Sequence, residues 1–234
     1  MQHFFNTGPC RRTADAVWRG KVRGSVHRHR GLSAGEVMWD ISKCYENISF
    51  EVLVDRALRV GYPPSLLRLT VGLYRMPRYL TDGALIIGPV CPRWRAVVAG
   101  CGTAPYELKA LLVADLCRFE ERWPEGHLLV HVDDLAFGAA ARGLPDLCGT
   151  LAGMANDLAA VCQELRLPLA PGKACTVATT PRALRGIVKA LGPFGRCRPA
   201  GGAQAGGRLR AGRPGGGVPR QPNAGGSPEQ SAAA

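Results

Sequence analysis

The sequence predicts an α+β fold: an antiparallel sheet with helices packed on one face. Three observations carry this. Short apolar runs of strand type stand at 36–41, 127–132, 135–139 and 175–180. Between them lie long stretches with apolar residues at three-to-four spacing, which is helical. And the runs 127–132 and 135–139 are separated only by the carboxylates of Asp133 and Asp134, the spacing of a β-hairpin.

Glu36-Val37-Met38-Trp39-Asp40-Ile41 reads as a buried strand with Asp40 near its carboxyl end. Ser42 to Ile48 turns away. Ser49 is a good helix cap, Phe50, Leu53, Val54, Ala57 and Leu58 follow at helical spacing, and Gly61 stops the helix. Pro63-Pro64 starts another, with Leu66, Leu67, Leu69 and Leu73 expected inside. Residues 84–90 form a strand candidate with Pro89 tolerable near an edge. The loop Ala99-Gly100-Cys101-Gly102-Thr103-Ala104-Pro105 feeds a helix to about Arg122, with Thr103 as cap and Leu108, Leu111, Leu112, Leu116 and Phe119 inside. Pro145 starts a long helix whose stripe is Leu147, Leu151, Met154, Leu158, Val161 and Leu165. Leu167 to Lys173 is a turn before the strand at Cys175.

Near the amino terminus, Thr13 is expected to cap a short helix, with Asp15 in its first turn. Arg19 to Arg30 then reads as a solvated basic loop. Charge divides the chain into three. Residues 1–38 hold seven Lys/Arg against two acids, residues 39–180 fourteen against fifteen, and residues 181–234 nine against one. The expected organisation is a basic leading segment (1–38), a near-neutral body (39–180) and a basic Gly/Pro/Ala-rich disordered tail (181–234). Basic ends suit a polyanion such as nucleic acid, and a solubilising tail is the plainer reading of the last stretch.

The nine cysteines include no Cys-x-x-Cys pair, which excludes the usual zinc ribbons and fingers. The first residues lack a signal-peptide run, and no apolar segment approaches the ~20 residues that span a bilayer. The expectation is an intracellular protein with reduced thiols and no membrane partner, not secreted, and nuclear if its host is a eukaryote.

The chemistry-bearing stretch is His131-Val132-Asp133-Asp134. Two adjacent carboxylates at a hairpin tip serve either as a solvated turn or, with a further acid, as a seat for hard cations. Asp40, at the end of a strand, is the candidate third acid. A glycine loop before a helix can hold an anion or be a plain turn.

In order, these segments resemble the palm of a reverse transcriptase of the retrotransposon or group II intron kind. Asp40-Ile41-Ser42-Lys43-Cys44-Tyr45 is similar to the first palm motif, an Asp followed after four residues by an aromatic. Ala99 to Pro105 resembles Gln-Gly-x-Pro-x-Ser-Pro, and His131 to Asp134 resembles Tyr/Phe-x-Asp-Asp. Leu165 to Lys173 looks like the following motif, which ends in a lysine, and Arg11-Arg12-Thr13-Ala14-Asp15 resembles the Arg-Ser-x-x-Asp segment upstream. The resemblance covers about residues 8–180. It implies RNA-directed DNA polymerisation from dNTPs on an RNA template and DNA primer. Two Mg²⁺ ions (Mn²⁺ as substitute), about 3.5–4 Å apart, would be held by Asp40, Asp133 and, more weakly, Asp134. The backbone of Ser42, Lys43, Cys44 and Tyr45 would bear on the triphosphate, with Gly100 and Cys101 opposite. Tyr45 would exclude a 2′-hydroxyl or simply fill the core. Lys173 would donate a proton to pyrophosphate or be a solvated turn lysine.

Departures from the motifs are Ala99 for Gln, Gly102 and Ala104 for Pro and Ser, and His131 for the aromatic. With only a stub of fingers in residues 1–38 and no thumb after the palm, the reading is a truncated enzyme with weak or no activity alone. The alternatives are a non-catalytic nucleic-acid-binding remnant of a retroelement and a two-metal nuclease.

Overall fold

The computed structural model describes residues 3–5, 13–90 and 94–195. Arg11, Arg12 and the tail from 199 onward lie outside the described residues.

Four strands form an antiparallel sheet in the order β4-β5-β1-β6. They are β1 (Ser33–Asp40), β4 (His127–His131), β5 (Asp134–Ala141) and β6 (Cys175–Ala178). Strand β1 lies at the centre because it pairs on both sides, Val37 opposite Phe137 on β5 and opposite Thr176 on β6. Alternation then sorts its side chains. Val37 and Trp39 are buried on one face, while Glu36, Met38 and Asp40 point to the other.

The buried face is covered by α6 (Leu144–Glu164) and α7 (Pro181–Leu191). The expected stripe on α6 is real: Leu147, Leu151, Met154 and Leu158 are fully shielded. Gly35 lets α6 and α7 approach, since a Cβ there would stand 2.4 Å from Ile187 and 3.0 Å from Leu151. The Trp39 ring meets Phe137 edge-on at 4.9 Å between centroids. Behind α6 lies α5 (Ala104–Arg122), which also packs on α3 (Phe50–Arg59).

This is the expected class, an α+β fold on an antiparallel sheet. Several details differ from the sequence reading. Residues 19–29 are not a basic loop. They belong to α1 (Thr13–His29), a helix of 17 residues. It packs on β1 from the side opposite α6 and α7. Its inward residues are Ala16, Gly20, Arg23 and His27, spaced helically but small or polar. No apolar period marks such a face, so hydrophobicity did not reveal it. The boundary expected after residue 38 falls inside β1, and the tail expected from 181 begins instead with α7, whose Ala183, Ile187 and Leu191 are buried. Thr180 caps α7 by accepting from Ala183 N at 3.1 Å.

On α4 (Pro64–Tyr74) the inner residues are Leu67, Thr70 and Tyr74. Leu69 and Leu73 are exposed. The strand expected at 84–90 is β3 (Leu85–Val90), paired with β2 (Arg78–Asp82), which the sequence reading missed. A short helix, α2 (Cys44–Asn47), follows β1. Phe4 and Phe5 are buried. Val130 N donates to Phe4 O at 2.8 Å, and Phe5 bridges Val130 in parallel, outside β4. Among the described residues no helix is long and apolar enough to cross a membrane.

Candidate functional site

The β1–β5 register puts Asp40 directly opposite Asp134, and the β4–β5 register puts His131 opposite Asp134. Directly opposed residues share a face. His131, Asp134 and Asp40 therefore form one row across three strands, on the side away from α6 and α7. The sequence pointed to Asp133 as the main partner of Asp40. The sheet sets Asp134 across from Asp40, and Asp133 occupies the two-residue hairpin loop with Val132, beside the end of β1.

Val132 has φ 57°, a left-handed conformation that a β-branched residue rarely adopts. The tip is held nonetheless: Ile41 N donates to Asp133 O at 3.3 Å, tying the loop to the end of β1. Beyond β1, residues 168–170 run alongside the chain. Ser42 N donates to Pro168 O at 2.7 Å, Ala170 N donates to Asp40 O at 2.9 Å, and Ile41 bridges Leu169. This lane delivers Lys173, whose Nζ stands 3.0 Å from Asp40 Oδ2.

Asp40 Oδ2 is shielded from solvent, yet no aligned hydrogen-bond donor reaches it. The contact with Lys173 is an ion pair rather than a well-angled hydrogen bond, and the lysine itself is largely exposed. Burial, then the charges of Asp133 and Asp40, raise the pKa of Asp134. The close contact with Asp40 and its charge raise that of Lys173. The three carboxylates thus feel one another.

Their donor chemistry fits a hard cation, since carboxylate oxygens are what such ions take, and the buried Asp40 Oδ2 is met only by an exposed lysine among the described residues. The fit is not a finished cage. Among the described residues no three His, Cys, Asp or Glu side chains are already grouped to hold a metal ion.

The segment after Asp40 is more committed to the fold than the sequence suggested. The Ser42 N–H is taken by Pro168, and Ser42 O accepts from Asn47 Nδ2 at 3.0 Å. Lys43 is exposed, at φ 47°. Cys44 is buried, and burial followed by the Asp133 charge pushes its thiol up to about 12. It is an inert core thiol. Tyr45 is half-buried, its hydroxyl raised to about 12 by burial first. Tyr45 O accepts from Val97 N at 2.9 Å, and Ile48 O from Ala96 N at 3.1 Å. These bonds bring the glycine loop to within a few residues of α2. Gly100, at φ 86°, is exposed at its turn.

Thr103 does not cap α5 with its side chain. Its hydroxyl meets Cys101 Sγ and Tyr74 OH, both at 3.2 Å, and the Thr103 contact lowers the Cys101 thiol pKa. Tyr74 OH donates to Glu107 Oε2 at 2.7 Å. Glu107 is wholly buried and its Oε1 has no partner. Sequence reasoning missed this cluster. The available signal was a carboxylate set among the apolar residues of α5, four positions after Thr103. It also missed Glu36, whose pKa is lowered first by its contact with His127 Nε2 at 3.9 Å and then by Arg23, under α1.

A cavity of about 730 Å³ separates α1 from the open face of the sheet. Its walls include Val17, Met38, Leu129 and Val177, and Asp40, Asp134, His131 and Lys173 close one end.

No protein-family model and no curated protein matches the chain. Among solved structures it is similar to apo telomerase from Candida tropicalis truncated from its C-terminal domain. That match has TM-score 0.45 and 11% identity, covering 71% of this chain and 35% of that one. It is also similar to telomerase from Candida albicans in complex with a TWJ fragment of telomeric RNA, at TM-score 0.45 and 12% identity, covering 71% and 30%. The chain spans about a third of the length of these telomerase chains.

Proposed function

We propose that this chain carries a reverse-transcriptase-like palm for RNA-directed DNA polymerisation, slow when the chain is alone. The observation that supports it is the cross-strand pair Asp40–Asp134, with Asp133 at the adjoining hairpin tip and Lys173 at its edge. Retroelement kinship is part of the proposal and rests on the sequence motifs. Asp40, Asp133 and Asp134 would hold Mg²⁺ or Mn²⁺. Bound divalent ions would neutralise charge on the attacking and leaving oxygens of a nucleotidyl transfer from a dNTP. Lys173, released from Asp40 when a cation takes its place, would stand ready to protonate departing pyrophosphate. Tyr45 would set the floor beneath the sugar. RNA template and DNA primer would run along the open face.

A second reading is a nucleic-acid-binding remnant without turnover. It is favoured by α1 lying over that face and by Lys173 already neutralising Asp40. Two measurements separate the readings. Mn²⁺ binding followed by electron paramagnetic resonance should be present in the wild type and lost in Asp40→Asn and Asp133→Ala. Extension of a primed RNA with Mg²⁺ and dNTPs should be slow but template-directed, and absent in Asp133→Ala. Metal binding without extension supports the remnant. Absence of both removes the metal site.

A further inference from the structure

The outward side of α4 and the turn at Trp94 are not used by the carboxylate site. Trp94 is 71% exposed, and the Arg75 guanidinium lies 5.3 Å from its ring centroid. Arg68 and Arg75 are two helical turns apart and both exposed. Leu69, Leu73 and Met76 form the neighbouring exposed stripe. Arg68, Arg75 and Arg95 have no acidic partner among the described residues. The turn itself is anchored, since Phe50 N donates to Trp94 O at 3.0 Å and Arg95 bridges Ser49.

We propose that Trp94, with Arg75, Arg68 and Arg95, forms a stacking platform for single-stranded nucleic acid, separate from the carboxylate row. Every base has a π-face, so an exposed indole stacks on any of them, and unpaired arginines supply the phosphate contacts. An exposed cation–π contact is weak. Arg75 therefore leaves the ring for a phosphate at small cost while a base takes its place. One guanidinium on the ring, with further exposed arginines on α4 and in the same turn, favours a polyanion with flat bases over an apolar protein partner, which would leave the guanidinium groups unpaired.

The test uses the full-length chain and a fluorescein-labelled 12-nucleotide oligouridine, with binding read by anisotropy at fixed salt. Trp94→Ala is expected to weaken binding about five- to a hundredfold. Trp94→Phe, which keeps a stacking ring, should stay close to wild type. Trp18→Ala, at the exposed tryptophan of α1, should change nothing. Arg75→Gln should reduce the salt slope by about 0.7. Heparin, a polyanion without bases, should bind wild type and Trp94→Ala alike. Wild-type affinity in Trp94→Ala overturns the proposal, as does a loss in Trp94→Phe equal to that in Trp94→Ala, or an equal loss on heparin.

Discussion

Replacing Asp134 by Asn should make the metal-free protein more stable. Asp134 faces Asp40 directly across β1 and β5, with Asp133 next to it. Like charges directly opposite on a sheet destabilise by about 0.2–1 kcal/mol. Asp133 adds to this, and the exposure of Asp134 screens it, which leaves a net penalty of about 1 kcal/mol. The sign follows from the raised pKa of Asp134. Below the ordinary aspartate range the group is neutral in both states and the penalty vanishes. As pH rises the unfolded chain ionises first, and stability falls. At pH 7, Asp134→Asn should therefore raise the melting temperature by about 2–4 °C for a chain of this size. Magnesium should act unequally on the two proteins. At ten times its dissociation constant it should stabilise the wild type by about 1.4 kcal/mol, and the variant less. Circular-dichroism melts with EDTA and with Mg²⁺ read both effects. A lower melting temperature for Asp134→Asn in EDTA, or equal magnesium stabilisation of both proteins, refutes the shared-charge argument.

Tyr74→Phe removes the hydroxyl that donates to Glu107 Oε2 and should cost about 1–3 kcal/mol in urea unfolding. Adding Glu107→Leu should restore most of that loss, because the orphaned carboxylate goes with it. Val132→Gly relieves a left-handed β-branched residue at a cost in chain entropy, for a net gain of about 0.5–1 kcal/mol. A loss on urea unfolding would mean that the valine side chain carries packing that outweighs the strain. The pKa of His27 is lowered by burial first, then by His127, Arg23 and Arg30. Its neutral form is favoured in the fold, so stability is full above pH 6.5 and declines as pH falls below it. His27→Gln should flatten that decline between pH 7 and 5.5, and an unchanged slope would exclude His27 as its source.

The strands around the carboxylates were legible because apolar runs and a two-residue gap leave few alternatives. Register was not. A shift of one residue decides whether Asp133 or Asp134 meets Asp40, and only pairing of the backbone fixes it. The long α6 stripe was readable because Leu147 to Leu158 repeat at helical spacing against a uniformly apolar neighbour. α1 was not readable, because its contact face consists of Ala16, Gly20, Arg23 and His27, which meet Glu36 and His127 on the sheet. Leu69 and Leu73 misled for the opposite reason: they follow a helical period but lie on its outer side, where no core exists. The Tyr74–Glu107 bond joins residues 33 apart, and nothing local in either segment announces it.

Phe4 and Phe5 have a role beyond filling space. By pairing with Val130 they close off the outer border of β4, whose amides and carbonyls would otherwise face solvent in a row. Proteolytic loss of the first five residues would turn that border into a template for strand addition by other copies. The two leading aromatic rings therefore act as a guard against aggregation, and a preparation trimmed there should form oligomers that the intact chain does not.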